Sequence, residues 1–177
     1  MLLLGPAASP RVLDCRAVQL WDPGVPESHQ PYHAALELSE KDGAKVVRRA
    51  SQAVRVLAIQ AVRRLAKELR DAGHDLRGVG LVVGSDTDPA KLGNAHVRAH
   101  ASEGRLFREV LEAGAKACAL PCLVLIEREA YDKGGAAMKQ PAEELKRAVA
   151  ALGNAVHGPW RAEEKTAALA AWLALKS

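Results

Sequence analysis

Residues 11–21 have a strand-like mix of apolar and polar positions, and 33–39 alternates Ala35 and Glu37 against Leu36 and Leu38. Alternation with a period of two is typical of a half-buried β-strand. The dipeptide Asp42-Gly43 favours a tight hairpin turn, and it lies between the second of these segments and a short apolar segment at 44–48. The pattern therefore predicts three strands joined by turns.

A period of three and four residues replaces the alternation from 52 to 72. This spacing predicts an amphipathic helix, which Ser51 caps and Gly73 ends. Continuous apolar runs at 78–84 and 120–127 are typical of strands covered on both faces, so we expect the first to be central and parallel to its neighbour. Further helices are predicted at 94–117, 142–152 and 162–175.

The predicted order is three strands, a helix, a strand, a helix, a strand and two helices. Hairpin-linked strands followed by helical crossovers define a mixed five-stranded α/β sheet with helices on both faces and the first strand beside the fourth. We expect one domain over residues 1–177. This is the order of elements in the ribonuclease H-like fold.

Residues 79–175 resemble the RuvC type of Holliday-junction resolvase. The resemblance is carried by the segment Ala90-Lys91-Leu92-Gly93-Asn94-Ala95-His96-Val97-Arg98, by Glu127-Arg128-Glu129 after a buried strand, and by the helix that begins Ala162-Glu163-Glu164. Enzymes of this type hydrolyse a phosphodiester with two divalent ions, which converging carboxylates hold. The resemblance therefore implies a nucleic-acid-processing protein that uses Mg²⁺.

The resemblance implies catalytic roles for Asp14, Asp86 or Asp88, and Glu164. The sequence departs from the family at several of these positions. Cys15-Arg16 follows the first acid where the family has a Pro-Gly type of turn, Gly84-Ser85 replaces a glutamate, and Ala167 replaces the next acid on the last helix. The alternative function is therefore a catalytically degenerate module that binds nucleic acid or a protein partner. Capping of helices and turns is the structural alternative for Asp86, Asp88 and Glu164.

Three polar residues of the second helix, His96, His100 and Glu103, fall at i, i+4 and i+7 and share one stripe. Two imidazoles and a carboxylate suit zinc or manganese, although helices of this kind usually supply two ligands and take the third from elsewhere. Arg98 and Arg105 flank the stripe and suit contact with the phosphates of DNA or RNA. A polar helix face that the neighbouring loops satisfy is the structural alternative.

Composition limits these hypotheses. The net charge of +4 permits a polyanionic partner, whereas the six aromatic residues do not favour a stacking platform for single strands. Gly104, in mid-helix, indicates close packing against another backbone. The opening apolar run breaks at Gly5-Pro6, which predicts a cytoplasmic protein with no membrane partner. The three cysteines are then expected to be reduced thiols, with Cys118 and Cys122 buried. A homodimer is possible from the sequence, which does not determine the oligomeric state.

Overall fold

The computed structural model describes residues 1–176, which divide into two compact units. The first unit contains residues 1–17, 76–84 and the chain from Leu120 onward. The second contains residues 18–75 and 85–119. Each unit is therefore assembled from segments that are distant in the sequence.

The first unit combines two small sheets with three helices. Strands β1 (Leu2–Leu4) and β2 (Arg11–Asp14) pair antiparallel, and β3 (Val79–Val83) pairs parallel with β4 (Cys122–Ile126) in a continuous register. The helices are α3 (Ala130–Met138), α4 (Ala142–Leu152) and α5 (Ala162–Lys176).

Helix α5 lies at the centre of the first unit's core. Leu169 of α5 is fully buried together with Leu145 and Val149 of α4. At Gly80 of β3 a Cβ atom would lie 2.3 Å from the carbonyl oxygen of Ala170, so only glycine lets the strand approach the helix this closely. The sheet and α5 are therefore packed backbone against backbone.

The second unit is built on two long helices, α1 (Glu40–Asp71) and α2 (Ala95–Ala117). The side chain of Asn94 accepts a hydrogen bond from the Val97 N–H and caps α2. Four buried side chains form the core that the two helices share: Val54, Ala58, Leu106 and Val110. At Gly114 of α2 a Cβ atom would lie 2.9 Å from a methyl group of Val62 of α1, so the helices are close at this point.

The five-stranded sheet predicted from the sequence is wrong, because residues 1–176 form four short strands in two two-stranded sheets. Of the predicted strand at 11–21 only Arg11–Asp14 forms a strand, and it pairs with Leu2–Leu4 instead of the strand at 79–83. Residues 33–37 of the segment 33–39 form consecutive turns, and 44–48 lies inside α1. A ribonuclease H-like sheet is therefore not present in the described chain.

The predicted hairpin at Asp42-Gly43 is instead the first turn of α1. The Ser39 hydroxyl accepts a hydrogen bond from the Asp42 N–H, and Glu40 and Asp42 place negative charge at the positive end of the helix. Helix α1 therefore begins twelve residues before the predicted start, and Ser51 is an interior residue.

Several predictions from the sequence are confirmed. The helix predicted at 52–72 is the greater part of α1, and Gly73 follows its end with a φ of +82°. Strands β3 and β4 are parallel as expected, although β3 has one partner strand among the described residues and is not central. The later predicted helices correspond to α2, α4 and α5, whereas β1 and α3 were not predicted.

No helix within residues 1–176 combines the length and the apolar character needed to cross a bilayer.

Candidate metal centre

Three histidines converge in the second unit. His96 and His100 come from the first turns of α2, and His33 comes from the chain of turns that precedes α1. One nitrogen of each ring lies within 4.8 Å of the corresponding nitrogens of the other two. The Nε2 atoms of His96 and His100 are 3.1 Å apart, and the ring centroids are separated by 4.2 to 4.8 Å.

Helix geometry and local turns place these rings. Asn94 caps α2, so the two histidines that follow lie one helical turn apart on the same face. His33 is fixed by turns on either side of it, because the Ala34 N–H donates to the Gln30 carbonyl and the Leu36 N–H donates to that of His33. The approach of His33 to α2 is therefore set by the backbone as well as by the side chain.

Glu103 holds His33 in its orientation. This carboxylate is only 7% exposed, and it accepts a hydrogen bond of 3.1 Å from the His33 backbone N–H. Its second oxygen lies 2.8 Å from His33 Nδ1. Since an ionised carboxylate can only accept, Nδ1 carries the proton, and in a neutral ring the lone pair is then on Nε2.

The free nitrogen of His33 is the most informative atom of the group. His33 Nε2 is buried and has no hydrogen-bond partner in the described part of the chain. An unsatisfied buried polar group costs about 1–3 kcal/mol. Metal-ligating histidines commonly have this arrangement, in which a carboxylate bonds one ring nitrogen and the other nitrogen is left for a metal.

The distances suit a tetrahedral ion. Zinc bound by imidazole nitrogens at about 2.0–2.1 Å requires ligand nitrogens about 3.3 Å apart. The 3.1 Å between the Nε2 atoms of His96 and His100 is close to this value, and a ring nitrogen of His33 lies within 4.8 Å of both. His96 and His100 are exposed to solvent, which leaves one side of the group open.

The sequence identified two of these three histidines. The sequence predicted His96, His100 and Glu103 as the ligands. Within residues 1–176 the group that converges is His96, His100 and His33, so His33 and not Glu103 is the third member. His33 was missed because the alternation at 33–39 was interpreted as a strand. One signal pointed towards it: a glutamate on the buried side of α2 needs a hydrogen-bond donor from outside its own helix.

The four acids predicted as catalytic each have a local partner. In the first unit Asp14 pairs with Arg16, and Glu164 accepts a hydrogen bond of 2.8 Å from the Arg161 N–H near the start of α5. In the second unit Asp86 pairs with Arg108 at 2.5 Å, and Asp88 accepts from the Ala90 N–H at 3.1 Å. Magnesium-dependent cleavage by these residues stays a prediction.

The two arginines predicted to contact nucleic acid are held by neighbours. Arg98 donates to the Gly93 carbonyl at 3.1 Å. Arg105 pairs with Glu109 at 2.8 Å and lies 3.9 Å from Asp88. The hydrogen bond and the charge of Glu109 raise the pKa of the Arg105 guanidinium, so the cation is stabilised where it lies.

Gly104 has a different role from the one predicted. Nothing lies within 4 Å of a Cβ atom built there, so the interpretation of close backbone packing is wrong. This glycine borders a cavity of about 320 Å³ between α2 and the loop Ser85–Pro89, and Asp86, Arg105 and Arg108 line the same cavity. The close approach occurs instead at Gly114, against Val62.

The three cysteines are free thiols. Cys118 is buried, as predicted, whereas Cys122 is partly buried and Cys15 is exposed.

We compared the chain with protein-family models, with curated proteins and with solved structures, and none of them matches it.

Proposed function

We propose that this protein binds a divalent transition-metal ion, preferentially zinc, through His33, His96 and His100. One observation carries the proposal: the buried Nε2 of His33 has no protein partner, while Glu103 occupies Nδ1 on the opposite side of the ring. A bound cation is what satisfies that nitrogen. The Nε2 atoms of His96 and His100, the other two donors, lie 3.1 Å apart.

The donor set decides the class of metal. Imidazole nitrogens suit zinc, copper, nickel and iron, whereas magnesium, calcium and manganese favour oxygen ligands. All three converging donors are imidazoles, so this site is different in kind from the magnesium site that the carboxylates predicted. We therefore expect zinc to bind even when magnesium is present in large excess.

The number of donors indicates how the metal is used. Structural zinc sites are closed by four protein ligands, whereas catalytic sites have three and keep one position for water or substrate. Bound zinc lowers the pKa of such a water to about 7. In this chain Glu103 orients one ligand, and the exposed positions of His96 and His100 give a small molecule access to the open side. Water activation is the chemistry that this arrangement supports.

The test is a calorimetric zinc titration of protein that has first been treated with a chelator. We expect one equivalent to bind to the parent, and His33→Ala and His100→Ala to abolish tight uptake. His157→Ala is the matched control, because it removes an exposed histidine of the other unit and leaves the site intact. Unchanged uptake in either site variant, or no uptake by the parent, would contradict the proposal.

A pH series provides an independent check. Imidazole must be deprotonated to bind a metal, so zinc is released as the solution is acidified. We expect the parent to release protons when zinc binds at mildly acidic pH. Binding without proton release under those conditions would assign the metal to other ligands.

A further inference from the structure

The charge of the protein is concentrated on helix α1. This helix carries nine lysine and arginine residues and four acids, so its charge of +5 exceeds the +4 of the whole chain. The acids are confined to its ends, and between Gly43 and Lys67 the helix has no aspartate or glutamate.

A helix face that serves only solubility has a different pattern. Such faces alternate the sign of their charges, since pairs at i and i+4 stabilise a helix when opposite and destabilise it when alike. Helix α2 follows this pattern, with Arg105 paired to Glu109 and Arg108 paired to Glu112. The middle of α1 does not follow it. Arg49 pairs with Glu27 at 2.6 Å and Lys45 with Asp42 at 3.0 Å, but the other arginines of this stretch have no acidic partner among residues 1–176, which points to a partner outside the chain.

Four cations of α1 form one line, which we call the basic face. At 100° per residue, Lys41, Arg48, Arg55 and Arg63 fall within an arc of about 80°. All four side chains are exposed, and none forms an ion pair within 4 Å among residues 1–176. At about 1.5 Å per residue the basic face is about 33 Å long.

We propose that the basic face binds the phosphate backbone of a double-stranded nucleic acid. Its length matches one turn of a B-form duplex, about 34 Å. The face has no aromatic side chain on which an unpaired base can stack, so a single strand gains little from it. Arginine and lysine contacts to phosphate carry no base information, and binding is therefore independent of sequence.

The salt dependence of binding measures this contact. Each neutralised phosphate contributes about −0.9 to the slope of log K against log salt, so four contacts give a slope of about −3.6. Raising the salt from about 50 to about 200 mM then weakens binding by about 150-fold.

The experiment measures fluorescence anisotropy of a labelled duplex with the full chain. The variant Arg48→Gln, Arg55→Gln, Arg63→Gln is expected to reduce the slope to about −0.9, so that the same change of salt weakens binding by about 3.5-fold. The control Arg128→Gln, Arg147→Gln, Arg161→Gln removes the same charge from exposed positions of the other unit and is expected to keep the parental slope. Circular dichroism melting verifies that both variants are folded.

Several outcomes overturn the proposal. The first is the absence of duplex binding at about 50 mM salt, where non-specific association is strong. The second is an equal reduction of the salt slope in the two triple variants. The third is tighter binding to a single strand than to the duplex. Binding to vesicles that contain anionic lipid, without binding to a duplex, assigns the face to a membrane surface and also overturns it. Parallel titrations with DNA and RNA duplexes distinguish the two sources of phosphate. The metal proposal is unaffected, since zinc uptake is measured without nucleic acid.

Discussion

Replacement of Glu103 by glutamine separates the structural role of this residue from its role behind the metal ligand. The carboxylate receives two hydrogen bonds from His33, one from the backbone N–H and one from Nδ1. Glutamine has nearly the same shape but offers one oxygen and one NH₂ group. If the oxygen keeps the backbone N–H, the NH₂ group faces Nδ1 and favours the tautomer that carries its proton on Nε2.

The magnitudes follow from these contacts. Hydrogen bonds to a charged group are worth about 1.5–3 kcal/mol and neutral ones about 0.5–1.5 kcal/mol, so Glu103→Gln should lower the free energy of unfolding of the metal-free protein by about 1–2 kcal/mol. Glu103→Ala leaves two buried donors unsatisfied and should cost about 2–6 kcal/mol. The wrong tautomer blocks the ligand atom, so zinc affinity in the glutamine variant should fall about 10- to 100-fold.

Urea denaturation in the presence of a chelator measures the first effect, and zinc calorimetry measures the second. The matched control is Glu109→Gln, because Glu109 is an exposed acid of the same helix whose pair with Arg105 is worth less than about 1 kcal/mol. This control should bind zinc with parental affinity. If Glu103→Gln also retains parental affinity, then the Nδ1 contact does not orient a ligand, and the argument from the free Nε2 is refuted.

Four further predictions concern the fold, a partly buried tyrosine and the metal. Gly80→Ala should lower the free energy of unfolding by about 3 kcal/mol or more in thermal denaturation, because its Cβ meets the Ala170 carbonyl; a mild effect would show that β3 does not lie against α5. Gly104→Ala should raise it by about 0.5–1 kcal/mol, since the site is helical and open, and a loss in the same measurement would contradict this. Burial, followed by the charge of Glu109, raises the pKa of Tyr32 above 10.0, so its contribution to stability is complete below that pH and is lost as the pH rises through the folded-state value. Tyr32→Phe should reduce the alkaline decline in a series of urea denaturations, leaving the part that Tyr131, whose pKa is also raised by burial, contributes; an unchanged decline would contradict the role of Tyr32. Zinc at about 100 times its dissociation constant should raise the free energy of unfolding by about 2.7 kcal/mol, and unchanged thermal denaturation would contradict metal binding to the folded state.

Sequence periodicity predicted the long helices because it is a local property repeated over many residues. It failed at 33–39, where the structure has turns, and at 44–48, which lies inside α1, because a few alternating residues fit a strand as well as they fit either of these. Ser39 and Asp42 form a helix cap, and once a helix is nucleated each further residue is added more easily than a new strand is formed. The excess of predicted strands then produced the five-stranded sheet.

For the histidine group, too, the sequence predicted the neighbours within one helix and missed the residue that comes from a distant part of the chain. The spacing of His96 and His100 is visible in the sequence because one helical turn separates them. His33 is 70 residues from the glutamate that holds it, and no local pattern reports a contact of that separation. The basic face of α1 needed the structure as well, because its first residue, Lys41, lies in a segment that the sequence assigned to a turn.

The interleaving of the two units has a consequence for the order in which a growing chain folds. The second unit ends at Ala119, whereas the first waits for β4 and for the helices that follow it. During synthesis α1 and α2 can therefore pack before the partner strand of β3 leaves the ribosome. The three histidines and Glu103 are all made by then, so every residue of the proposed metal site is present while the last 58 of the 177 residues, about a third of the chain, are still to be translated.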